Sequence, residues 1–237
     1  MPINECVAFV TGANGGLGDA FVRTLLARGA AKVYAAARCV DTLSHDDPRV
    51  VPVELDVTDT AQVQRAAALA SDTTLLVNNA GLNRLQPALA CTEADAARAE
   101  MEVNYFAPLA MIRAFSPAMQ EGSAIVNVLS ILARVTLPSM ATLCASKAAA
   151  LRMSEGVRAE LAPRGIRVMS VLPGAIDTAM SRDFPPPKLM PREVVDAVLN
   201  ALDGEASEIY VGEMAAQIAK GLANDRHATQ RQLAGAV

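Results

Sequence analysis

The chain contains no tryptophan, and aromatic residues make up only 3% of its 237 positions. Its core must therefore be built from small aliphatic side chains. Hydrophobic residues form 52% of the chain, dominated by Ala, Val and Leu, which suits helices packed closely on a Val-rich parallel sheet. Histidine occurs twice, and the four cysteines (Cys6, Cys39, Cys91, Cys144) are scattered with no C-x-x-C pair. That pattern argues against a metal or disulfide framework and leads to the expectation of a reducing, cytoplasmic setting. The net charge is −4, with no block of like charges and no basic stripe, so neither nucleic acid nor an anionic membrane is expected as a partner. No uncharged apolar run is long enough to span a bilayer, because Arg134 and Pro138 interrupt the best candidate. The first strand-like run begins within a few residues of Met1, leaving no room there for a signal peptide. No linker, repeat or low-complexity stretch is evident, and Pro185-Pro186-Pro187 reads as a stiff loop.

What is present is a regular alternation of strand-like and helix-like segments. Strands are expected at 7–10, 33–37, 50–55, 74–78, 124–129, 168–172 and 208–211. Helices are expected at 17–28, 59–70, 93–119, 142–162, 191–202 and 213–224. Thr58 is placed to cap the second helix and Thr92 the third, while Pro191 suits the first turn of the fifth. The tail after His227 is polar without clear periodicity and reads as a docking arm or a frayed end. Strand-like runs apolar on both sides and separated by helices imply an α/β fold, a doubly wound parallel sheet of about seven strands with helices on both faces. The length fits one domain over 1–237, including a short loop at 179–190 and the tail at 225–237.

The first turn of this pattern carries the strongest chemical signal. Thr11-Gly12-Ala13-Asn14-Gly15-Gly16-Leu17-Gly18 joins the first strand to the first helix, where backbone N–H groups meet a phosphate without side chains in the way. Gly12 allows the tight turn, Gly16 close approach of a pyrophosphate, and Gly18 close packing of helix on sheet. At the end of the second strand, Ala37 fills the position where an acidic residue takes the ribose 2′-OH of NAD, and Arg38 follows. An arginine there favours the 2′-phosphate, so NADP(H) is expected rather than NAD(H). Asp56, after the third strand, is suited to the adenine amino group, and Asn78-Asn79-Ala80-Gly81 closes the fourth strand with small residues.

Taken in order, TGANGGLG, Leu55-Asp56-Val57, NNAG, the asparagine of Val103-Asn104-Tyr105, Ser130, Ala145-Ser146-Lys147-Ala148-Ala149 and Pro173-Gly174-Ala175-Ile176-Asp177-Thr178 resemble the short-chain dehydrogenase/reductase family over roughly residues 5 to 215. The resemblance implies a Rossmann-type domain, an NAD(P)(H) cofactor and reversible hydride transfer between carbonyl and alcohol. It further implies that Gly12, Asn14, Leu17 and Gly18 line the pyrophosphate and Arg38 the 2′-phosphate. Asp56 and Val57 would meet the adenine, Asn79 and Ala80 the adenosine ribose, and Lys147 the nicotinamide ribose. Pro173, Gly174, Ile176 and Thr178 would meet the carboxamide and the nearby phosphate. Ser130 matches the substrate-polarising serine and Asn104 the asparagine that holds a relay water. The family commonly assembles through its two long central helices, here 93–119 and 142–162, so a homodimer or homotetramer is expected.

One position departs from the family's pattern. Its proton donor is a tyrosine four residues before the lysine, and counting back from Lys147 gives Leu143. The usual serine-to-tyrosine spacing, counted forward from Ser130, also ends on Leu143. Leucine neither gives nor takes a proton, and general acid–base catalysis is worth on the order of a hundred- to ten-thousand-fold in rate. Cys144 is one helical step away, rotated by about 100°. Tyr105 is expected in the core, Tyr34 and Tyr210 lie elsewhere in the fold, and Thr142 has a poorly matched pKa. Three readings follow, in order: an NADP(H)-dependent reductase of a small hydrophobic carbonyl, with activity weakened or altered at Leu143; an atypical member reducing an imine or activated C=C bond; and a non-enzymatic NADP(H)-binding module. The substrate pocket is expected over Ser130, 135–140, Leu143 and the loop 179–190.

Overall fold

A computed structural model describes residues 1–90 and 95–235. Its strands are β1 (Val7–Thr11), β2 (Lys32–Ala37), β3 (Val50–Glu54), β4 (Leu75–Asn78), β5 (Ala124–Val128), β6 (Arg167–Pro173) and β7 (Glu208–Val211). They form one parallel seven-stranded sheet in the order β3-β2-β1-β4-β5-β6-β7. The chain winds outward from β1 in one direction and then restarts beside it in the other, so connections leave opposite faces at the carboxyl ends of β1 and β4. A crevice opens at such a switch point.

Strand periodicity sorts the side chains onto two faces. Ala8 and Val10, with Leu75 and Val77, meet α1 (Gly16–Ala27) and α6 (Pro191–Ala201) on one side. Phe9 and Leu76, with Ile125, meet α2 (Thr60–Leu69), α4 (Ala107–Phe115) and the second half of α5 (Ala141–Leu161) on the other. Both faces are thus dry, which is why the strands read as continuous apolar runs rather than alternating ones. The scarce aromatics are concentrated where they touch: Phe9 meets Phe115 edge-on with centroids 4.7 Å apart. No helix among the described residues is long and apolar enough to cross a membrane.

The expected strands all form, with ends shifted by a residue or so, and Pro191 occupies the first turn of α6. Four local expectations are corrected. Asp59, not Thr58, caps α2, its carboxylate accepting from the N–H groups of Ala61 and Gln62. The side chain of Thr58 instead donates to Asp56, so it is spent on the preceding turn. The third helix is not continuous over 93–119: α3 (Ala96–Met101) passes through a π-helical stretch, Glu102–Phe106, into α4, which ends at Phe115. Thr92 lies outside the described residues. Tyr105 is not a core residue, being half-buried on that π-helical stretch with its ring against exposed Phe106. Up to Gly235 the polar tail is helical rather than frayed or irregular: after α7 (Glu213–Asn224), Asp225 caps a further helix, α8 (Arg226–Ala234).

Candidate active site

The crevice is organised by the turn after β1. Gly12 and Gly16 have φ of +64° and +53°, the left-handed region that glycine enters without strain. A Cβ on Gly18 would lie 2.0 Å from the carbonyl oxygen of Gly12, so this contact between helix and loop exists only for glycine. α1 begins at Gly16 behind Gly15, which has no side chain to cap it. The first N–H groups of α1 therefore face the crevice with no side-chain acceptor. A Cβ on Gly16 would lie 3.0 Å from Cγ2 of Thr178, so the loop opens toward the segment after β6. Such a turn at a helix N-terminus is able to cradle an anion through its backbone N–H groups. Leu17 contributes only its backbone here, because its side chain is buried in the core beneath. Asn14 is exposed at the rim.

The neighbouring strand ends are tied to this loop. Thr11 Oγ1 accepts from the N–H groups of Asn79 (2.9 Å) and Ala80 (3.0 Å). Asn79 Nδ2 donates to the carbonyls of Thr11 (2.9 Å) and Gly12 (3.2 Å). Thr11 is a structural member of the site that the sequence motif contained but the reading of glycines passed over. Ala80 backs onto Gly12, whose absent Cβ would lie 3.1 Å from the Ala80 Cα. At the end of β2, Arg38 is exposed and makes no hydrogen bond or ion pair among the described residues. Asp56 is half-buried and its Oδ1 accepts from Thr58 N–H at 2.9 Å, while Val57 packs on the apolar face below.

The other side of the crevice is polar and deeply set. Lys147, on α5, is buried and donates from Nζ to the carbonyl of Val128 at 3.1 Å. Burial, with no acidic partner among the described residues, pushes its pKa down to about 8. A Cβ on Gly81 would lie 3.4 Å from Asn104 Oδ1 and 3.7 Å from Lys147 Nζ, so both side chains converge on that glycine. Asn104 sits on the π-helical stretch, where the irregular turn aims its carboxamide inward. It accepts from the N–H of Leu82 at 2.9 Å, and donates to the Leu82 carbonyl at 2.8 Å and to Ser146 Oγ at 2.9 Å. Ser146 Oγ donates in turn to the carbonyl of Leu143 at 2.8 Å. Ser130, just past β5, accepts from Leu132 N–H at 3.1 Å, which leaves its own O–H free to donate into the crevice.

Leu143 stands one helical turn before Lys147 and is buried. Among the described residues no ionisable side chain takes its place. Cys144 is buried, and burial raises its thiol pKa. Tyr34 donates to Asp72, and Tyr210 to Glu208, both away from Lys147. Beyond β6, Pro173 ends the strand beside Val211, and Gly174 donates its N–H to the Val211 carbonyl at 3.1 Å. A Cβ on Gly174 would lie 3.5 Å from Met214 Cβ and 3.7 Å from its Sδ. Met214 therefore overhangs this end of the crevice, a contact that nothing in its local sequence signals. Ile176 bridges to Leu189, and Thr178 starts a short 3-10 turn at Ala179–Ser181, which together close the loop on itself. Lys188 Nζ donates to the carbonyls of Ser181 (2.6 Å) and Arg182 (3.1 Å), tightening it further.

The glycine cradle lies between the strand ends near Arg38 and Asp56 on one side and the Lys147–Asn104 pair on the other. The short chain dehydrogenase family model matches residues 6–188. A crystal structure of a short chain dehydrogenase from Burkholderia cenocepacia J2315 in complex with NADP is similar at 64% identity, with a TM-score of 0.96, covering 98% of this chain and 99% of that one. A short-chain dehydrogenase structure from Streptomyces avermitilis is 28% identical with a TM-score of 0.86, covering 97% and 96%. An uncharacterized oxidoreductase of Staphylococcus aureus (strain MW2) is 32% identical over 228 residues, 90% of this chain and 96% of that protein.

Proposed function

The chain belongs to the short chain dehydrogenase family, and from that premise we propose that it is an NADP(H)-dependent oxidoreductase acting on a small hydrophobic carbonyl or its alcohol, with the proton-transfer step weakened at Leu143. When bound, the cofactor supplies or accepts the hydride at its nicotinamide ring. The cofactor assignment is supported by the free Arg38 guanidinium where a 2′-phosphate would sit, and by the NADP found in the relative from Burkholderia cenocepacia. Gly12, Asn14, Leu17 and Gly18 hold the pyrophosphate through backbone groups. Asp56, Val57, Asn79 and Ala80 bound the adenosine. Pro173, Gly174, Ile176 and Thr178 hold the nicotinamide end.

The single observation that carries the reading is the convergence of a buried, acid-free Lys147 ammonium and the Asn104 carboxamide on Gly81. The ammonium donates one hydrogen bond to protein, to Val128. Its remaining N–H groups are available to ribose hydroxyls. Ser130 orients the substrate by donating to its carbonyl oxygen. Hydride addition leaves an alkoxide that must gain a proton, and Leu143 has none to give. Water supplies that proton in this chain, so the step is slower than with a positioned acid.

A second reading draws on the apolar, buried character of Leu143. A substrate that arrives protonated, such as an iminium, needs hydride but no acid, and an apolar wall does not obstruct it. NADPH consumption against ketones, aldehydes and cyclic imines, with this chain and Leu143→Tyr side by side, separates the two. Carbonyl reduction that rises by on the order of a hundredfold or more in Leu143→Tyr supports the proposal. Fast imine reduction that the tyrosine slows supports the second reading. No NADPH binding by either protein overturns both.

A further inference from the structure

Two side-chain carboxamides in this protein grip a backbone in the same way. Asn104 bonds both the N–H and the carbonyl of Leu82, fixing one wall of the crevice from within. Gln230, on α8, does the same to Thr136. Its Oε1 accepts the Thr136 N–H at 2.9 Å, and its Nε2 donates to the Thr136 carbonyl at 2.7 Å. These two residues are 94 positions apart.

Thr136 lies in the segment that leads from Ser130 to α5. That segment starts as a 3-10 turn, Ile131–Ala133, and is tied to β7 by Arg134, whose Nη2 reaches both carboxylate oxygens of Glu208 at 2.9 and 2.7 Å. It ends at Met140, whose Sδ lies 3.6 Å from Asn83 Nδ2, next to the wall that Asn104 holds. Between those two ends, Thr136 has no backbone–backbone hydrogen bond among the described residues. Among the described residues Gln230 is the protein partner of this exposed stretch of main chain.

α8 is weakly held. It has nine residues, and only Thr229 among them is buried. A helix of that length is marginal in water without tertiary contacts. It is fixed by the Asp225 cap, by Thr229 against Gly221, and by the Gln230 clamp. The clamp therefore couples the docking of a marginal helix to the order of the segment beside Ser130 and Leu143.

We propose that α8 is a latch on the substrate-side wall of the crevice, with Gln230 as its positioning residue. With the latch docked, the 134–140 segment is held against the Asn83 wall and the substrate site is formed. With it released, the wall loosens while the cofactor cradle, built on other elements, is unaffected. Substrate binding and helix docking then favour each other. The inference rests on the proposed carbonyl reduction only for its kinetic readout.

The test compares the full chain with Gln230→Ala and Gln230→Glu, the latter keeping an acceptor for the Thr136 N–H. Amide hydrogen exchange at 134–140 and NADPH affinity are measured, with kcat and KM for the carbonyl of the panel that is turned over fastest. In Gln230→Ala, exchange at Thr136 should rise on the order of tenfold, the effect of one hydrogen bond of ordinary strength. KM should rise several-fold with kcat changed by less than about twofold, and NADPH affinity should hold. Gln230→Glu should recover part of the protection. Unchanged exchange at Thr136 overturns the latch, as does a loss of NADPH affinity in parallel with KM. If no carbonyl is reduced, the exchange measurement alone decides, so failure of the proposed reaction and failure of the latch are told apart.

Discussion

Replacing Lys147 with methionine should make the free protein more stable and unable to hold its cofactor. The ammonium is buried without an acidic partner, and its pKa falls from the ordinary 10.5 to about 8. At pH 7 the lysine is charged in both folded and unfolded chains, and keeping that charge in the folded one costs about 3 kcal/mol. Methionine removes that cost but strands the Val128 carbonyl, a loss of about 1 kcal/mol. The net gain is about 2 kcal/mol, or roughly 4–8 °C in melting temperature for a chain of this size. The pH dependence has a definite sign. Between about 8 and 10.5 the unfolded chain binds the lysine proton and the folded chain does not, so the Lys147 contribution to native stability should rise with pH through that window, set against the opposite trend of the buried Cys6 thiol above about 9. That contribution should be absent in Lys147→Met, so the stability difference between the two proteins should shrink toward the upper end of the window. Urea unfolding at pH 7, 9 and 10.5, with NADPH binding followed by nicotinamide fluorescence, is the assay. A less stable Lys147→Met protein at pH 7, or pH profiles that run parallel from 8 to 10.5, would refute the reasoning.

Other positions give independent tests. Gly18→Ala places a Cβ against the Gly12 carbonyl, a backbone atom that cannot swing aside, and should cost upwards of about 3 kcal/mol in thermal or urea unfolding. An unaltered midpoint would mean that the packing of α1 on the loop has been misread. Asp59→Ala should lower stability by about 1 kcal/mol as the α2 cap is lost, while Thr58→Ala stays within about 0.5 kcal/mol. Equal effects would return the cap to Thr58. Arg38→Ala should weaken NADPH binding by roughly tenfold or more and leave NADH nearly unchanged, measured by titration of both cofactors. An equal loss for both would remove Arg38 from the 2′-phosphate.

The large-scale architecture was legible because it is written in short periods. Apolar runs of strand length, such as Val7 to Val10, alternate with helical spacing, such as Phe21, Val22 and Leu25, and that alternation leaves a parallel sheet covered on both faces as the stable arrangement. The glycine turn was legible for a related reason, since Gly12, Gly16 and Gly18 each answer a steric demand that no other residue meets. The third helix reads as continuous in sequence because its composition stays helical throughout. The π-helical stretch that turns Asn104 inward changes the count per turn without changing residue type. The cap of α2 is not legible in sequence because Thr58 and Asp59 are both good caps, and only the turn geometry at Asp56 decides which is free.

By itself, then, the sequence determined what local chemistry can determine: strands, most helices, the phosphate turn, the arginine after β2, and the leucine one turn before Lys147. Tertiary structure alone decided which side chains meet across the fold. Thr11 joining β1 to β4, Met214 overhanging Gly174, and Gln230 gripping Thr136 are contacts between residues far apart in the chain. No periodicity encodes such pairs. A polar helix such as α8 is marginal alone and acquires its place only when the groups that satisfy it have already been brought near.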